Sequence, residues 1–222
     1  MDLVYDFQEL MVWRVVNGFL RTNAYIVRFK STNYCVLVDP GLDYLLIDKC
    51  MNDLGVYPLC VMATHGHFDH IGGSKFFQIK YKCKVYIDAE DMRTVKMSNF
   101  LLMAMKKSER IEEPTITDYM EFDGLTNYGL MFDRIKCPGH TPGSCILNIQ
   151  NCWFTGDSVY AHGVGLSKLA GEDHLLLRKS ILSIWDTIDD KIEIFPGHGT
   201  NVNGSILKSV NFPLMNFLGL TY

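Results

Sequence analysis

Four potential metal ligands fall within six residues, in the run Thr64-His65-Gly66-His67-Phe68-Asp69-His70. His65 and His67, two apart in an extended turn, can converge on one ion. Asp69 and His70, at the start of a following helix, can turn towards a second. Imidazole and carboxylate suit Zn²⁺, and also iron and manganese. The spacing is not the i, i+4 pair of a helical His-Glu-x-x-His site, so the chemistry of that protease class is not implied. Three further candidates lie far along the chain, each packaged in small residues: His140 in Pro138-Gly139-His140-Thr141-Pro142-Gly143-Ser144, Asp157 in Thr155-Gly156-Asp157-Ser158, and His198 in Pro196-Gly197-His198-Gly199. Counting donors assigns His65, His67 and His140 to one ion and Asp69, His70 and His198 to the other. The two oxygens of Asp157 can bridge them. Each ion then keeps an open position for water, which a catalytic site needs.

Two such cations, about 3.5–4 Å apart, bring a shared water to a pKa near neutrality and polarise a carbonyl. The expected nucleophile is therefore the resulting metal-bound hydroxide. Asp69 is the candidate catalytic residue, binding metal and orienting that water. No serine or cysteine nucleophile is required, and Thr141 and Ser144 read as hydroxyls that cap the His140 loop. Asp39, before Pro40-Gly41, is either a partner that holds a ligand histidine or a turn-initiating aspartate. His162 and His174 fall outside the constellation.

These residues need rigid elements to hold them. Short apolar, β-branched runs predict strands at Met11–Val16, Asn23–Phe29 and Tyr34–Val38, with Asn17-Gly18 as the turn between the first two. Helical spacing over Leu42–Leu54 ends at Gly55. A buried strand over Leu59–Ala63 opens into the histidine loop, followed by a helix over Ile71–Lys80, a strand at Lys84–Ile87 and one or two helices over Ala89–Lys107. In the second half, strands are predicted at Tyr119–Phe122, Leu130–Lys136, Cys145–Ile149, Cys152–Phe154 and Ile192–Phe195, and a helix over His174–Ile188. Phe212–Leu218 is expected to pack on the domain. Met97, Phe100, Leu101, Met103 and Met105 read as core or as a flexible apolar pocket wall. The pattern predicts an α/β protein of two packed sheets with helices outside, in one domain over residues 1–222.

The chain has 222 residues, 48% hydrophobic, and 21 Lys+Arg against 25 Asp+Glu give a net charge of −4. There is ample apolar material for a core. The acidic balance argues against a nucleic-acid partner, and the one basic run, Lys80–Lys84, reads as a solvated helix end. No stretch is long and apolar enough to span a membrane, and the acidic start does not resemble a signal peptide. Seven dispersed cysteines without a Cys-x-x-Cys pair predict a reducing, cytoplasmic setting. The partner is expected to be a small molecule.

The His-x-His-x-Asp-His loop, the distal His140, Gly156-Asp157 and Gly197-His198 resemble the metallo-β-lactamase fold superfamily, from about Met11 to His198. The resemblance implies a four-layer αβ/βα sandwich with the metal site at one edge of the sheets. Within that superfamily, the His140 and His198 loops and Gly156-Asp157-Ser158-Val159-Tyr160 are most similar to short, single-domain glyoxalase II-like (hydroxyacylglutathione hydrolase-like) proteins. That implies a dinuclear thioester hydrolase holding two divalent ions, zinc first, with iron or manganese as alternatives. Tyr160 becomes a candidate substrate contact. Two departures stand out. The C-terminal helical domain that helps hold glutathione is not expected after His198, and Gly165-Leu166-Ser167-Lys168 replaces a Gly-Arg-x-Asp run. Lys168 either stands in for that arginine towards an anionic substrate or is a solvated lysine. Alternative chemistries on the same scaffold are a mononuclear iron persulfide dioxygenase using His65, His140 and Asp157, and hydrolysis of lactones or other esters.

Overall fold

Alternating and continuous apolar runs build two mixed sheets, seen in a computed structural model that describes residues 1–167, 169 and 171–220. The chain divides into two compact units, Met1–Asp123 and Gly124–Tyr222. In the first unit, strands β1 (Asp2–Phe7), β2 (Leu10–Asn17), β3 (Thr22–Phe29), β4 (Tyr34–Val38), β5 (Tyr57–Met62), β6 (Lys84–Tyr86) and β7 (Ile116–Thr117) lie side by side in sequence order. β1 to β4 are antiparallel and β4 to β7 parallel. Parallel neighbours need crossovers. These are α1 (Tyr44–Leu54) before β5, α2 (Phe68–Ile71) and α3 (Ser74–Tyr81) before β6, and α4 (Met92–Ala104) before β7. Gly55 closes α1 at φ +65°, the left-handed C-cap that its position after the periodic run predicts. Ile26, Leu37, Val61 and Val85 of the sheet pack with Ile47 and Met51 of α1 and Phe77 of α3. Each such burial contributes about 1.5–3 kcal/mol before chain entropy is counted.

The second unit carries strands β8 (Phe132–Lys136), β9 (Cys145–Ile149), β10 (Cys152–Gly156), β11 (Glu193–Pro196) and β12 (Val202–Asn203), ordered β12-β11-β10-β9-β8. Only the β10–β11 pair is parallel, and α5 (His174–Ile184) lies between those strands in the chain. α6 (Gly204–Val210) and α7 (Phe212–Leu218) follow β12. Leu177 and Ile181 of α5, Leu207 of α6 and Leu214 and Leu218 of α7 share a buried cluster with Ile146 and Ile194. No helix of the described residues is long and apolar enough to cross a membrane.

Several expectations are corrected. Tyr119–Phe122 is no strand: Asp118 accepts the Met120 N–H at 2.7 Å and caps a 3₁₀ turn, Tyr119–Glu121, whose buried Tyr119 donates its hydroxyl to Ala63 O at 2.9 Å. The helix expected over Ile71–Lys80 is two, broken at Gly72-Gly73, where a Cβ would strike Phe68 O or Gly41 O. Asn17-Gly18 starts the hairpin loop, yet pairing of Asn17 with Thr22 makes the loop four residues long. Met97, Phe100, Met103 and Met105 are exposed, not core. The basic run Lys80–Lys84 is the solvated helix end expected, with Lys80, Lys82 and Lys84 exposed, although Lys80 also pairs with the largely buried Asp48 at 2.5 Å and Cys83 is buried.

Candidate metal centre

In the first unit, β4 and β5 run parallel with Val38 opposite Met62. Their C-terminal ends therefore deliver Asp39 and Thr64-His65 side by side. Asp39 is buried at φ +50°, in the left-handed region that Asp tolerates better than most residues. Its carboxylate accepts the Thr64 N–H at 2.8 Å, the Thr64 hydroxyl at 2.7 Å and His70 Nδ1 at 2.9 Å. The carboxylate only accepts, so the proton of His70 sits on Nδ1 and Nε2 keeps its lone pair. Thr64 gives its one hydroxyl proton to Asp39, so towards His65 Nδ1, at 3.1 Å, it accepts. His65 Nε2 likewise keeps a lone pair. His65 Nε2 and His67 Nδ1 stand 3.1 Å apart, and His70 Nε2 lies 3.5 Å from Asp69 Oδ2. Thr22 donates its hydroxyl to Asp69 Oδ2 at 2.7 Å. The loop itself is tied to the start of α4: Gly66 N–H donates to the buried Asp91 carboxylate at 2.7 Å. A Cβ at Gly66 would stand only 3.0–3.1 Å from Asp91 O, Thr94 and Val95, so the close approach favours glycine.

In the second unit, parallel β10 and β11 place Phe154 opposite Phe195 and Gly156 opposite Pro196. The chain exits both strands at one edge, carrying Asp157 and His198, and Gly197 N–H donates to Gly156 O at 2.8 Å. Asp157 Oδ2 lies 3.5 Å from His198 Nε2 and 3.6 Å from His140 Nε2. The His140 loop rests on the start of α5. Asp173 N–H donates to Gly139 O at 2.7 Å, and the Ser180 hydroxyl to Pro138 O at 2.8 Å. Gly139, at φ +135°, has no room for a Cβ against the Leu177 backbone. Ser144 Oγ accepts the Thr141 N–H at 3.0 Å and lies 2.7 Å from Thr141 Oγ1, the loop-capping arrangement expected of these hydroxyls. His140 Nδ1 lies 3.1 Å from Gly165 O, a pure acceptor, so the ring's proton is on Nδ1 and Nε2 keeps its lone pair, on the side facing Asp157. Tyr160 stands edge-on to His198, ring centres 5.8 Å apart. Lys168 lies outside the described residues. His162 and His174 are exposed, and His174 Nε2 is 3.1 Å from Glu172 Oε2.

The donors fit a cation. Ligands about 2.0–2.1 Å from a tetrahedral zinc ion are about 3.3–3.4 Å from one another. The four donor pairs measure 3.1, 3.5, 3.6 and 3.5 Å. His65, His67, Asp69, His70, His140, Asp157 and His198 are the residues that make up the candidate metal-holding groups of the described chain. Thr22, Thr64 and Asp91 hold the His65–His70 loop and its neighbours and were not apparent from sequence. Each acts on a residue reached only through the fold, except Thr64, whose position beside His65 was the one available signal.

Comparison with known proteins follows the same lines. The model of the Metallo-beta-lactamase superfamily matches residues 17–198. The probable metallo-hydrolase YqgX of Bacillus subtilis is 27% identical over 214 residues, covering 95% of this chain and all of that protein. Hydroxyacylglutathione hydrolase GloC of Haemophilus influenzae is 26% identical over 174 residues, 74% of this chain and 79% of that protein. Among solved structures, TTHA1623 in a di-iron-bound form superposes with a TM-score of 0.78 at 25% identity, covering 90% of this chain and 99% of that one.

Proposed function

The chain belongs to the metallo-beta-lactamase superfamily and is a metallo-hydrolase with its α/β fold, and we propose that it cleaves small-molecule thioesters using two divalent cations. In this reading His65, His67 and His140 would hold one ion and Asp69, His70 and His198 the other, with Asp157 as a ligand available to both. The observation that carries it is the state of the donors. Proton placement on Nδ1 leaves Nε2 of His65, His70 and His140 available, and Asp157 Oδ2 faces two imidazoles at 3.5 and 3.6 Å. The di-iron form of TTHA1623 supports a count of two, and the named activity of GloC supports a thioester. Zinc is the first choice, iron or manganese the alternatives.

Bound divalent cations supply Lewis acidity, lowering the pKa of water towards neutrality and polarising an acyl carbonyl. The chain's own residues do the rest. Asp69, its Oδ2 held by Thr22, orients the attacking water. Asp39 fixes the ring of His70 and, through Thr64, that of His65. Tyr160 is assigned to the substrate side of His198, with Lys168 as the cation towards an anionic substrate. The net charge of −4 favours a small molecule over nucleic acid. A reducing cytoplasm suits seven cysteines that are all buried thiols.

The test is metal content and stoichiometry on protein purified without added metal, followed by a thioester panel beginning with lactoylglutathione. Close to two ions per chain and thioester hydrolysis are expected. A single iron with no second ion on titration, and oxygen-dependent turnover of a persulfide, would replace this reading.

A further inference from the structure

Asp39 is not the only buried carboxylate set beside a proposed ligand. Glu172 precedes α5, and its side chain is 2% exposed. Its Oε1 accepts the Ser167 N–H at 2.7 Å and lies 3.8 Å from His140 Nδ1, while its Oε2 lies 3.1 Å from His174 Nε2. Ser167 is two residues from Gly165, whose carbonyl accepts the His140 Nδ1 proton at 3.1 Å. Gly165 in turn is wedged against Asp157: a Cβ there would overlap Asp157 O and come within 2.9 Å of the Tyr160 hydroxyl. A buried carboxylate is costly unless it is hydrogen-bonded, and this one spends its oxygens on the segment that wraps two proposed ligands.

We infer that Glu172 is a positioning residue for His140. It pins the 165–167 segment through the Ser167 N–H, so that Gly165 O stays where it accepts the His140 Nδ1 proton. Its negative charge beside Nδ1 favours the same tautomer. The His140 ring is thereby held with Nε2 presented to a cation. His174, half exposed, ties the far oxygen of Glu172 and closes the arrangement towards solvent. This is the second unit's counterpart of what Asp39 does for His70: a carboxylate fixes which ring nitrogen carries the proton. The inference rests on His140 being a metal ligand, as proposed above.

The experiment uses the full chain stripped of metal and read in two ways. Nitrogen-15 histidine spectra report the tautomer of His140, its signal identified by loss in His140→Ala. Titration with Co²⁺ reports affinity and the visible ligand-field spectrum. Wild type is expected to show His140 as the Nδ1–H form. Glu172→Ala is expected to admit the Nε2–H form and to weaken Co²⁺ binding about 10–100-fold, the usual effect of losing a ligand's supporting partner. Glu172→Gln, whose amide oxygen can still accept the Ser167 N–H, is expected to recover most of that loss. Should Glu172→Ala not fold, Glu172→Met keeps the volume, removes both oxygens and carries the same comparison. An unchanged tautomer and unchanged Co²⁺ affinity in these variants, with His140→Ala still weakening Co²⁺ binding, overturn the role of Glu172 alone. Co²⁺ binding indifferent to His140→Ala overturns the ligand assignment, and the inference with it.

Discussion

Asp157 Oδ2 stands 3.6 Å from one imidazole and 3.5 Å from another, too far for a hydrogen bond to either and close to the spacing of ligands around one ion. A carboxylate in that position keeps the two rings apart and gives each proposed cation a shared anionic neighbour. Replacing it removes charge from both sites at once, whereas losing any one histidine empties a position on one. Asp157→Ala is therefore expected to lower bound metal below that of His67→Ala and to abolish hydrolysis. Its affinity should fall by more than the about 10–100-fold typical of a supporting residue. Metal analysis after dialysis, alongside turnover of the best thioester, checks this. Full activity with full metal in Asp157→Ala would show that the carboxylate is a bystander.

At the scale of elements, the proposed ligands sit where strands end. Parallel pairs β4–β5 and β10–β11 each release two chain segments at the same edge, which is how Asp39 meets Thr64 and how Asp157 meets His198. The loop after Asp157 needs a further anchor, and Asn211 supplies it. Fully buried between α6 and α7, it donates Nδ2 to Tyr160 O at 2.8 Å and to Gly163 O at 3.3 Å, while Oδ1 accepts the Leu214 N–H and caps α7. Asn211→Ala loses the cap and leaves two carbonyls short of a donor. A stability loss of about 1–3 kcal/mol is expected, measured by denaturant midpoint. Unchanged stability would mean that water or another donor replaces the amide. Such links explain what sequence could and could not reveal. The strands Tyr34–Val38 and Cys145–Ile149 were legible to the residue, because each is a short run rich in apolar and β-branched residues with polar turn residues beside it. The His65–His70 cluster of proposed ligands could be read as a candidate site because its donors are contiguous. Asn211, Glu172 and Asp91 were not, since each reaches a residue 25 or more positions away or acts through a backbone carbonyl that carries no sequence signal. Tyr119–Phe122 misled because its aromatic residues mimic a strand, while the Asp118 cap that makes it a turn is only one residue.

For the molecule as a whole, the seven cysteines give a readout of folding that needs no substrate. All are buried thiols. Burial pushes the thiols of Cys83 and Cys137 from 9.0 up to about 11, and raises those of Cys35 and Cys60 well above their ordinary value too. The thiolate is the nucleophile, so in the folded chain these groups are doubly protected, by access and by protonation. Between pH 9 and 11 the folded state retains thiol protons that an unfolded chain has already released. The folded state then binds more protons, so stability is fully present below pH 9 and declines as pH rises through that window. Two outcomes follow for full-length, reduced protein. At pH 7–8, alkylation by iodoacetamide should be slow for all seven thiols together and should appear in a single step at the denaturant midpoint. At fixed temperature, that midpoint should fall progressively from pH 9 to 11, and Cys137→Ala should lessen the fall. Rapid labelling of one cysteine in native protein at pH 7 would place that residue in a segment that opens locally. The labelling rate of the others, followed by mass spectrometry, would then measure how much less often the rest of the chain opens.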